Sequence, residues 1–380
     1  SQNPTAGTIV NIGSDVNLVI ARSTIGADAF YDGFANPPFG VSPGVYWFWN
    51  ANALSESEIS RELDLLKAAG IGGVLIFPLQ EPMAATKVDE QPLQWLSPQW
   101  ASMLKFTADA AQARGMYVDL LVGTGWPFGG PFVQAGNQIK IIKLGTTELT
   151  GPGTFSGNIR DLMVLPPGAW GETTNGLEPQ LQFLRLVPKN PQNFNSGTEL
   201  KDQVQPDGSI TFTIPSGQYV LYTGTYREGF LVVNIAAPGG AGPVVDHLNS
   251  TALNNYLGYV ENALKPYLGE QIGQKLRSLH CDSFELTNAN WTADFAQEFL
   301  NRRGYAIDPY LPFIVEWPPA SGGSGFNDTV NRVQYDFWKT QQELFNERFL
   351  TPFNEWCHNE GTDSRSEAYG CYEIDPIENK

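Results

Sequence analysis

Residues 72–78 read Gly-Gly-Val-Leu-Ile-Phe-Pro, an apolar run with the length of one β-strand. A run without polar alternation is typical of a strand that is covered on both faces, as in parallel sheets. Upstream, Ser55-Glu-Ser-Glu58 is a capping-box sequence, and apolar residues recur after it at helical spacing until Gly70. Downstream, Ser97-Pro98 predicts an N-cap and a proline at the first position of a second helix. The strand at 72–78 therefore lies between two helices.

Two more buried strands extend this pattern. Residues 44–50 (Gly-Val-Tyr-Trp-Phe-Trp-Asn) are apolar on both faces and predict a central strand, and residues 116–122 form the third strand. Alternating strands and helices predict a parallel sheet, either a barrel or a doubly wound sheet. Residues 123–130 (Gly-Thr-Gly-Trp-Pro-Phe-Gly-Gly) follow the third strand, at the end where barrel enzymes build active sites. A Gly/Pro-rich surface loop is the alternative for this stretch.

The middle of the chain has a different pattern. Strand-like runs alternate with turns and show no helical period, which predicts an all-β insertion. Helical patterning returns at about residue 251. The sequence thus predicts four parts: peripheral strands in 1–36, the first part of a catalytic barrel in 37–136, a β-rich insertion in 137–242, and a continuation of the barrel in 243–380.

A second group of signals lies in the continuation. Residues 278–286 (Ser-Leu-His-Cys-Asp-Ser-Phe-Glu-Leu) read as a short apolar strand that ends by presenting Asp282 and Glu285. Burial raises the pKa of a carboxyl group, as a general acid requires, although an edge strand with solvated acids is the alternative. After it, Thr292 is predicted to cap a helix that Gly304 ends, and a longer helical pattern over 328–360 is expected to kink at Pro352.

Residues 362–370 read as a fifth strand, which gives five β/α units where a closed barrel has eight. An open five-stranded piece would expose apolar edges. Either the count misses units, or a second polypeptide, for example from the same precursor, supplies the rest of the barrel.

Composition limits the possible partners and the environment. The 380 residues carry 23 Lys+Arg and 40 Asp+Glu, a net charge of -17, which argues against nucleic acid and anionic membranes as partners. Cys281 is expected to be a buried thiol, whereas Cys357 and Cys371 flank a short connection and are candidates for a disulfide. Glycosylation sequons begin at Asn249, Asn290 and Asn327. Together these features favour a secreted, extracellular eukaryotic protein.

Several motifs, in this order and spacing, resemble the α-L-rhamnosidases of glycoside hydrolase family 106, and specifically a secreted, fungal-type member. The motifs cover most of 40–135 and 240–375 and are Gly44-Val-Tyr-Trp-Phe-Trp-Asn50, residues 62–73, Gly123-Thr-Gly-Trp-Pro127, Val245-Asp-His247, Asp282-Ser-Phe-Glu285, Asn290-Trp-Thr292, Arg303-Gly-Tyr305 and Pro309-Tyr-Leu-Pro312. Residues 366–370 resemble the family's next site strand.

The resemblance implies an inverting, calcium-dependent hydrolase with a (β/α)8 TIM barrel. It implies that Glu285 is the general acid and that Asp282 is also catalytic, while the family's general base lies beyond the sequence given. It makes Asp282 and Glu367 the candidate calcium ligands. The candidate substrate-binding residues are Trp47, Trp49, Asn50, Trp126, His247, Trp291, Glu367 and Tyr369.

Two other functions compete with this one. A secreted glycan-binding protein with an inactive or incomplete barrel would use tryptophans such as Trp47, Trp49 and Trp126 as stacking platforms for sugar rings. A polysaccharide lyase would need a Tyr, His or Lys base beside a cation that neutralises a uronate. The chain has only three His and no basic cluster near the proposed strand ends, so the lyase ranks last.

Overall fold

A computed structural model describes residues 41–81, 91–164, 177–315, 324–367 and 370, and near the amino terminus residues 2–3, 8–9, 17–18 and 32–34. In chain order its strands are β1 (Gln2–Asn3), β2 (Asn17–Leu18), β3 (Gly44–Asn50), β4 (Gly73–Leu79), β5 (Tyr117–Leu121), β6 (Lys140–Asn158), β7 (Gln180–Pro188), β8 (Thr198–Glu199), β9 (Ser209–Glu228), β10 (Ser278–Cys281) and β11 (Asp363–Ser366). Its helices are α1 (Glu56–Ala68), α2 (Pro98–Ala113), α3 (Ile159–Leu162), α4 (Ser250–Leu268), α5 (Phe295–Arg303), α6 (Leu311–Ile314), α7 (Ser324–Phe345) and α8 (Thr351–Asn359).

Five strands form one parallel sheet in the order β11–β10–β5–β4–β3. All five are strands that the sequence predicted, so the parallel arrangement is confirmed. The predicted position of β3 in the sheet is not confirmed. The residues 44–50 were expected to form a central strand, but among the described residues β3 pairs with β4 alone and lies at the edge of the sheet. A closed barrel of eight strands is likewise not present in the described ranges.

The two faces of this sheet have different neighbours. On one, which we call the helix face, Val74, Ile76, Val118 and Leu120 join a large core with residues of α1 and α2. The opposite, inner face carries rows of side chains that the strand register places side by side. The first row is Tyr46, Leu75, Asp119 and Ser278, the second is Phe48, Phe77, Leu121 and His280, and the third begins with Asn50 and Leu79 at the carboxyl ends of β3 and β4.

The helix caps follow the sequence signals in two cases of three. Ser55 accepts a hydrogen bond from the N–H of Glu58, and Ser97 accepts one from the N–H of Trp100, as predicted for α1 and α2. Thr292 was expected to cap α5, but Asp294 is the N-cap, because the Thr292 hydroxyl donates to a buried carboxylate instead. Gly304 ends α5 with a φ of 80°, as predicted.

The long carboxyl-terminal helix changes geometry next to Pro352, where the sequence predicts a kink. Residues Asn346–Leu350 form a π-helical turn between α7 and α8, directly before Pro352. A proline inside a helix has no N–H and its ring collides with the carbonyl four residues earlier, so the widened turn accommodates it. None of the helices in the described ranges combines the length and the apolar character that crossing a membrane requires.

The predicted β-rich region contains a four-stranded antiparallel sheet in the order β6–β9–β7–β8. It also contains the one-turn helix α3 and short 3-10 turns, so it is not purely β. Its own small core includes Leu184, Phe212 and Leu221. At its start, the buried ammonium of Lys140 lies 3.0 Å from Oδ2 of Asp246, which ties this region to the chain leading into α4.

Candidate active site

The third row of the inner face ends in two acidic residues. The register of β10 and β11 pairs Cys281 with Ser366, and the N–H of Glu367 donates to the carbonyl of Cys281 at 3.1 Å. One residue further, Asp282 and Glu367 therefore lie side by side. This row is at the carboxyl ends of the parallel strands, where sites in such sheets are built.

Asp282 is a buried carboxyl with little to stabilise its charge. Only 8% of the residue is exposed, and Oδ1 accepts a hydrogen bond of 2.6 Å from the N–H of Ser283. Burial raises its pKa to about 6, and the charges of Glu367 and Glu285 act in the same direction. The hydrogen bond from Ser283 opposes this shift without cancelling it. Asp282 thus exchanges a proton closer to neutrality than an ordinary aspartate.

Glu285 is held by the loop after β5. It is half-buried, and its Oε2 accepts a hydrogen bond of 2.8 Å from Nε1 of Trp126. Trp126 belongs to the Gly/Pro-rich loop over 123–130, so this loop reaches the carboxylates as the first of the two sequence interpretations predicted. The ring of Trp126 also contacts Phe77 of the inner face, with centroids 6.5 Å apart.

Glu367 is held from the opposite edge of the sheet. The hydroxyl of Tyr46 in β3 donates to its Oε1 at 2.6 Å. Burial and the neighbouring Glu367 raise the pKa of the Tyr46 hydroxyl, so it remains a donor at physiological pH. Because β3 and β11 are the two edge strands, this bond requires that the sheet curl until its edges face each other across the inner face.

His280 lies one row below the carboxylates and is 2% exposed. Burial and the guanidinium of Arg365 lower its pKa to about 4, so its ring is neutral at physiological pH. The ring meets Tyr46 edge-on at 6.2 Å, and within the described residues neither ring nitrogen has a hydrogen-bond partner. A buried imidazole with two unpaired nitrogens is costly and marks a site more often than a packing core.

Below His280 the inner face carries an ion cluster, which lines a small cavity of about 130 Å³. Asp119 is 1% exposed and accepts from the guanidinium of Arg277 and from Nη1 of Arg365 at 2.8 Å. The guanidinium of Arg277 also lies 3.5 Å from the ring centroid of Tyr117. These contacts fix the side chains of the lower rows of the inner face.

The structure brings Asp282, Glu285, Glu367 and Trp126 together and places other candidates elsewhere. Trp47 donates its Nε1–H to Glu62 of α1 at 2.6 Å, and Trp49 packs against Trp100 of α2 with centroids 5.8 Å apart. Both rings lie on the helix face, so the prediction that they stack on sugars is corrected. Alternate residues of a strand point to opposite faces, and the apolar run did not indicate which set faces inward.

Two more candidates lie in the core. His247 is 1% exposed and stacks on Phe349 at 4.3 Å, and Trp291 is 5% exposed and packs on Phe295 at 4.8 Å. Their burial argues against contact with a substrate and corrects their predicted roles. Asn50 belongs to the third row, where its Oδ1 accepts from the N–H of Glu81.

The remaining candidate, Tyr369, lies outside the described residues.

The predicted metal site has no support in the described residues. Within them, no group of three His, Cys, Asp or Glu side chains is placed to hold a metal ion. Asp282 and Glu367, the candidate calcium ligands, therefore do not form a site by themselves. Calcium dependence stays a prediction from the family resemblance.

The sequons and cysteines have distinct surroundings. The side chain of Asn249 caps α4, whereas Asn290 exchanges two hydrogen bonds with the backbone of Ile142 in β6, so its amide is part of the fold. Asn327 lies in α7. Cys281 is buried as predicted, and Cys357 is a buried free thiol whose predicted partner, Cys371, lies outside the described residues.

Sequence reasoning missed Tyr46, Phe48 and His280. Tyr46 and Phe48 are 46% and 57% exposed on the inner face, and they alternate along β3 with the tryptophans that were chosen instead. His280 was visible as the residue two positions before Asp282, and therefore on the same face of β10. Because residues two positions apart on a strand share a face, counting back by two from Asp282 would have identified His280 as a residue of the site.

The chain is similar in sequence to known glycoside hydrolases. The sequence profile of glycoside hydrolase family 106, described as alpha-L-rhamnosidase, matches residues 35–197 and 193–376. A Formosa agariphila protein that carries the provisional name beta-glucuronidase is 26% identical over 373 residues, covering 89% of this chain and 30% of that protein.

A solved structure shows the same fold. The rhamnosidase from Novosphingobium sp. PP1Y matches with a TM-score of 0.61 and 17% identity, over 88% of this chain and 47% of that chain. At this identity the likeness shows the fold alone. The match covers 30% of the Formosa agariphila protein and 47% of the Novosphingobium rhamnosidase, so the chain spans less than half the length of each.

Proposed function

The chain belongs to glycoside hydrolase family 106, the α-L-rhamnosidases, and we propose that it hydrolyses terminal α-L-rhamnose from plant or microbial glycans with inversion and with Glu285 as general acid. One observation carries the proposal: Asp282, Glu285 and Glu367 converge at the carboxyl ends of β10 and β11, and Trp126 holds the most accessible carboxyl of the Asp282–Glu285 segment. Glycoside hydrolysis requires a carboxyl group that protonates the leaving oxygen, and this group of acids supplies that half of the catalytic pair.

The division of labour follows from burial. Glu285 is half-buried and can reach the oxygen of a leaving group, whereas Asp282 is enclosed. Each carboxylate in this group disfavours the ionisation of its neighbours. Burial raises the pKa of Asp282 to about 6, and Glu285, as the more accessible acid of the segment, delivers the proton to the glycosidic oxygen. Asp282 tunes Glu285 through its charge, and Glu367, fixed by Tyr46, binds the sugar.

Inversion also requires a base on the far side of the sugar ring, with the two carboxyl groups about 6.5–9.5 Å apart. Asp282 and Glu285 are adjacent on one segment and serve the same side. We place the base on a second polypeptide from the same precursor, which completes the barrel. The edges of β3 and β11, both unpaired among the described residues, support this placement, as does the exposure of Phe48.

The reaction is tested by following the native protein with an aryl α-L-rhamnoside by proton NMR. We expect rhamnose release with the β-anomer appearing first. Retention of the α-anomer would exclude inversion. Cleavage of an aryl β-glucuronide but no rhamnoside would replace the substrate class.

The second polypeptide is tested by intact mass measurement of the native protein under denaturing conditions. We expect two species. One species at 41.7 kDa that is monomeric and fully active would refute the split barrel.

Secretion, glycosylation and calcium complete the proposal. Glycopeptide mass spectrometry should find glycans at Asn249 or Asn327 rather than at Asn290, whose amide pairs with β6 and whose sequon threonine is buried. If a chelator changes neither the activity nor the melting temperature, the calcium requirement is wrong.

A glycan-binding protein without catalysis is the second candidate. The exposed rings of Tyr46 and Phe48 on the inner face favour it, because aromatic rings of this kind stack on sugars. Rhamnoside binding without any release would support this alternative.

A further inference from the structure

Trp126 makes the hydrogen bond that fixes Glu285. Its Nε1 lies 2.8 Å from Oε2 of Glu285, and an indole N–H donates but never accepts. Oε2 must therefore accept in this contact. It follows that, when Glu285 is protonated with this bond in place, the proton resides on Oε1. The bond thus selects which oxygen of the acid faces the leaving group.

The backbone of Trp126 is in turn held by residues 229–245, which we call the bridging segment. The N–H of Asn234 donates to the carbonyl of Trp126 at 2.8 Å, and the N–H of Trp126 points back to the carbonyl of Asn234 at 3.4 Å. This approach leaves no room at Gly125, where a Cβ would lie 1.9 Å from the carbonyl oxygen of Asn234. The buried hydroxyl of Thr124 adds an acceptor, at 2.6 Å, for the N–H of Ala237.

The bridging segment is itself anchored on both sides of the loop. The N–H of Gln80, just after β4, donates to the carbonyl of Ile235 at 2.8 Å, and the N–H of Val245 donates to the carbonyl of Phe128 at 2.9 Å. Ile235 and Trp126 both pack on the inner-face cluster of Phe77, Leu79 and Leu121. The bridging segment starts directly after β9, so the chain passes from the β-rich region straight into the segment that supports the loop over 123–130.

We propose that Trp126 is a positioning residue for Glu285 and that the bridging segment sets its position. The β-rich region then acts on the site through a chain of contacts from Asn234 and Ala237 to the loop, to Trp126 and to Glu285. The inference rests on the proposed role of Glu285 in catalysis.

The chain contains a matched control. Trp47 donates its Nε1–H to Oε2 of Glu62 at 2.6 Å on the helix face, far from the carboxylates in the sheet. It is half-buried, as Trp126 is. The two pairs share donor, acceptor and burial, and they differ in their place in the fold and in their neighbours, since Arg61 lies 3.8 Å from Glu62.

The contact is tested by NMR of the native protein with ¹⁵N-labelled tryptophan. The Trp126 indole signal is identified by its loss in Trp126→Phe, and the Trp47 signal by its loss in Trp47→Phe. We expect the pH titration of the Trp126 signal to disappear or change strongly in Glu285→Gln and to survive in Glu62→Gln, with the reverse for Trp47. Thr124→Val, which removes the acceptor for Ala237, should move the Trp126 signal and leave the Trp47 signal in place.

Kinetics supply the second readout. Trp126→Phe should lower kcat on a rhamnoside with a poor leaving group about tenfold and change KM little, whereas Trp47→Phe should change neither. The other titratable and charged groups around the acid are Asp282, Glu367, Tyr46, His280 and Arg365, and they are the same in both variants.

Two failures are distinguishable. If the protein releases no rhamnose but the Trp126 titration follows Glu285, the proposed function is wrong and the contact stands. If the Trp126 signal titrates identically in wild type and Glu285→Gln, or if Trp47→Phe lowers kcat as much as Trp126→Phe, the positioning role is overturned.

Discussion

Asp246 and Asp282 are both buried aspartates, but their surroundings are opposite. Asp246 is 1% exposed, and its Oδ2 accepts from Lys140 at 3.0 Å and from Thr292 at 2.8 Å, while Oδ1 accepts from the N–H of Leu248. Asp282 is 8% exposed and accepts hydrogen bonds from the backbone and the side chain of Ser283, with no cation and with two further acids as neighbours.

The difference separates structure from function. A buried carboxylate that has a cation and several donors holds two regions together, here β6 and the chain before α4. A buried carboxyl surrounded by other acids destabilises the fold, and the arrangement persists where chemistry needs a proton near neutrality. Burial alone does not distinguish the two, whereas the partners of each oxygen do.

The largest stability effect should come from Asp246. Asp246→Asn removes the nearer of the two carboxylates of the buried Lys140 ammonium and leaves only Glu228, at 3.7 Å, so the free energy of unfolding should fall by up to about 3–5 kcal/mol. Urea unfolding at pH 7.5 measures it. The control is Glu148→Gln, which breaks the exposed pair of Glu148 with Lys189 in the same β-rich region and should cost less than about 1 kcal/mol. If both variants lose the same free energy of unfolding, the buried pair of Asp246 with Lys140 stabilises the fold no more than the exposed pair of Glu148 with Lys189.

Asp282→Asn should act in the opposite direction. The folded pKa of Asp282, about 6, lies above the ordinary value of 3.8, so the folded protein binds the proton more tightly and the wild type loses stability as the pH rises from about 4 to 6. The variant has no such loss and should be more stable above pH 6 by about 1–3 kcal/mol. Its activity should fall, because Asp282 tunes Glu285.

Paired melting curves of wild type and Asp282→Asn at pH 4 and pH 7.5 measure this difference. It should shrink at pH 4, where Asp282 is protonated in the folded state and about half protonated in the unfolded state. A variant that is less stable than wild type at pH 7.5 would contradict the interpretation that the ionised Asp282 carboxylate destabilises the fold.

The smallest effect should come from Thr292, which supplies one hydrogen bond to Asp246. Thr292→Val removes the hydroxyl but keeps the shape, and should cost about 1 kcal/mol in urea unfolding. Thr292→Ser keeps both the hydroxyl and the sequon, and should cost less. If the serine variant loses as much as the valine variant, packing of the methyl group rather than the bond to Asp246 explains the effect.

Much of the fold could be predicted because its signals are local. Ser55, Ser97 and Gly304 fix helix ends through their own chemistry, and four apolar runs and one polar run gave five neighbouring strands. Thr292 shows the limit. Its hydroxyl serves Asp246, 46 residues away, and no local pattern reveals that demand.

The sequence predicted the acids of the candidate site, and the structure places them near one another, but the sequence did not predict their surroundings. Asp282 and Glu285 were identified by acidic residues ending an apolar strand, and Trp126 by its loop. Trp47 and Tyr46 are neighbours in sequence with the same apolar character, yet one donates to Glu62 behind the sheet and the other to Glu367 across it. Which of them faces inward depends on how the whole sheet curls, and that is a property of the tertiary structure.

The central claim is that Glu285 donates a proton to the leaving group. It is tested most directly by comparing the native protein and Glu285→Gln on two aryl α-L-rhamnosides, one with a poor and one with a strongly acidic leaving group. Glutamine keeps the shape and the acceptor for Trp126 but has no proton to transfer, so kcat/KM should fall by about two to four orders of magnitude on the poor leaving group and far less on the acidic one. An equal loss on both substrates would contradict the acid role and assign Glu285 to binding.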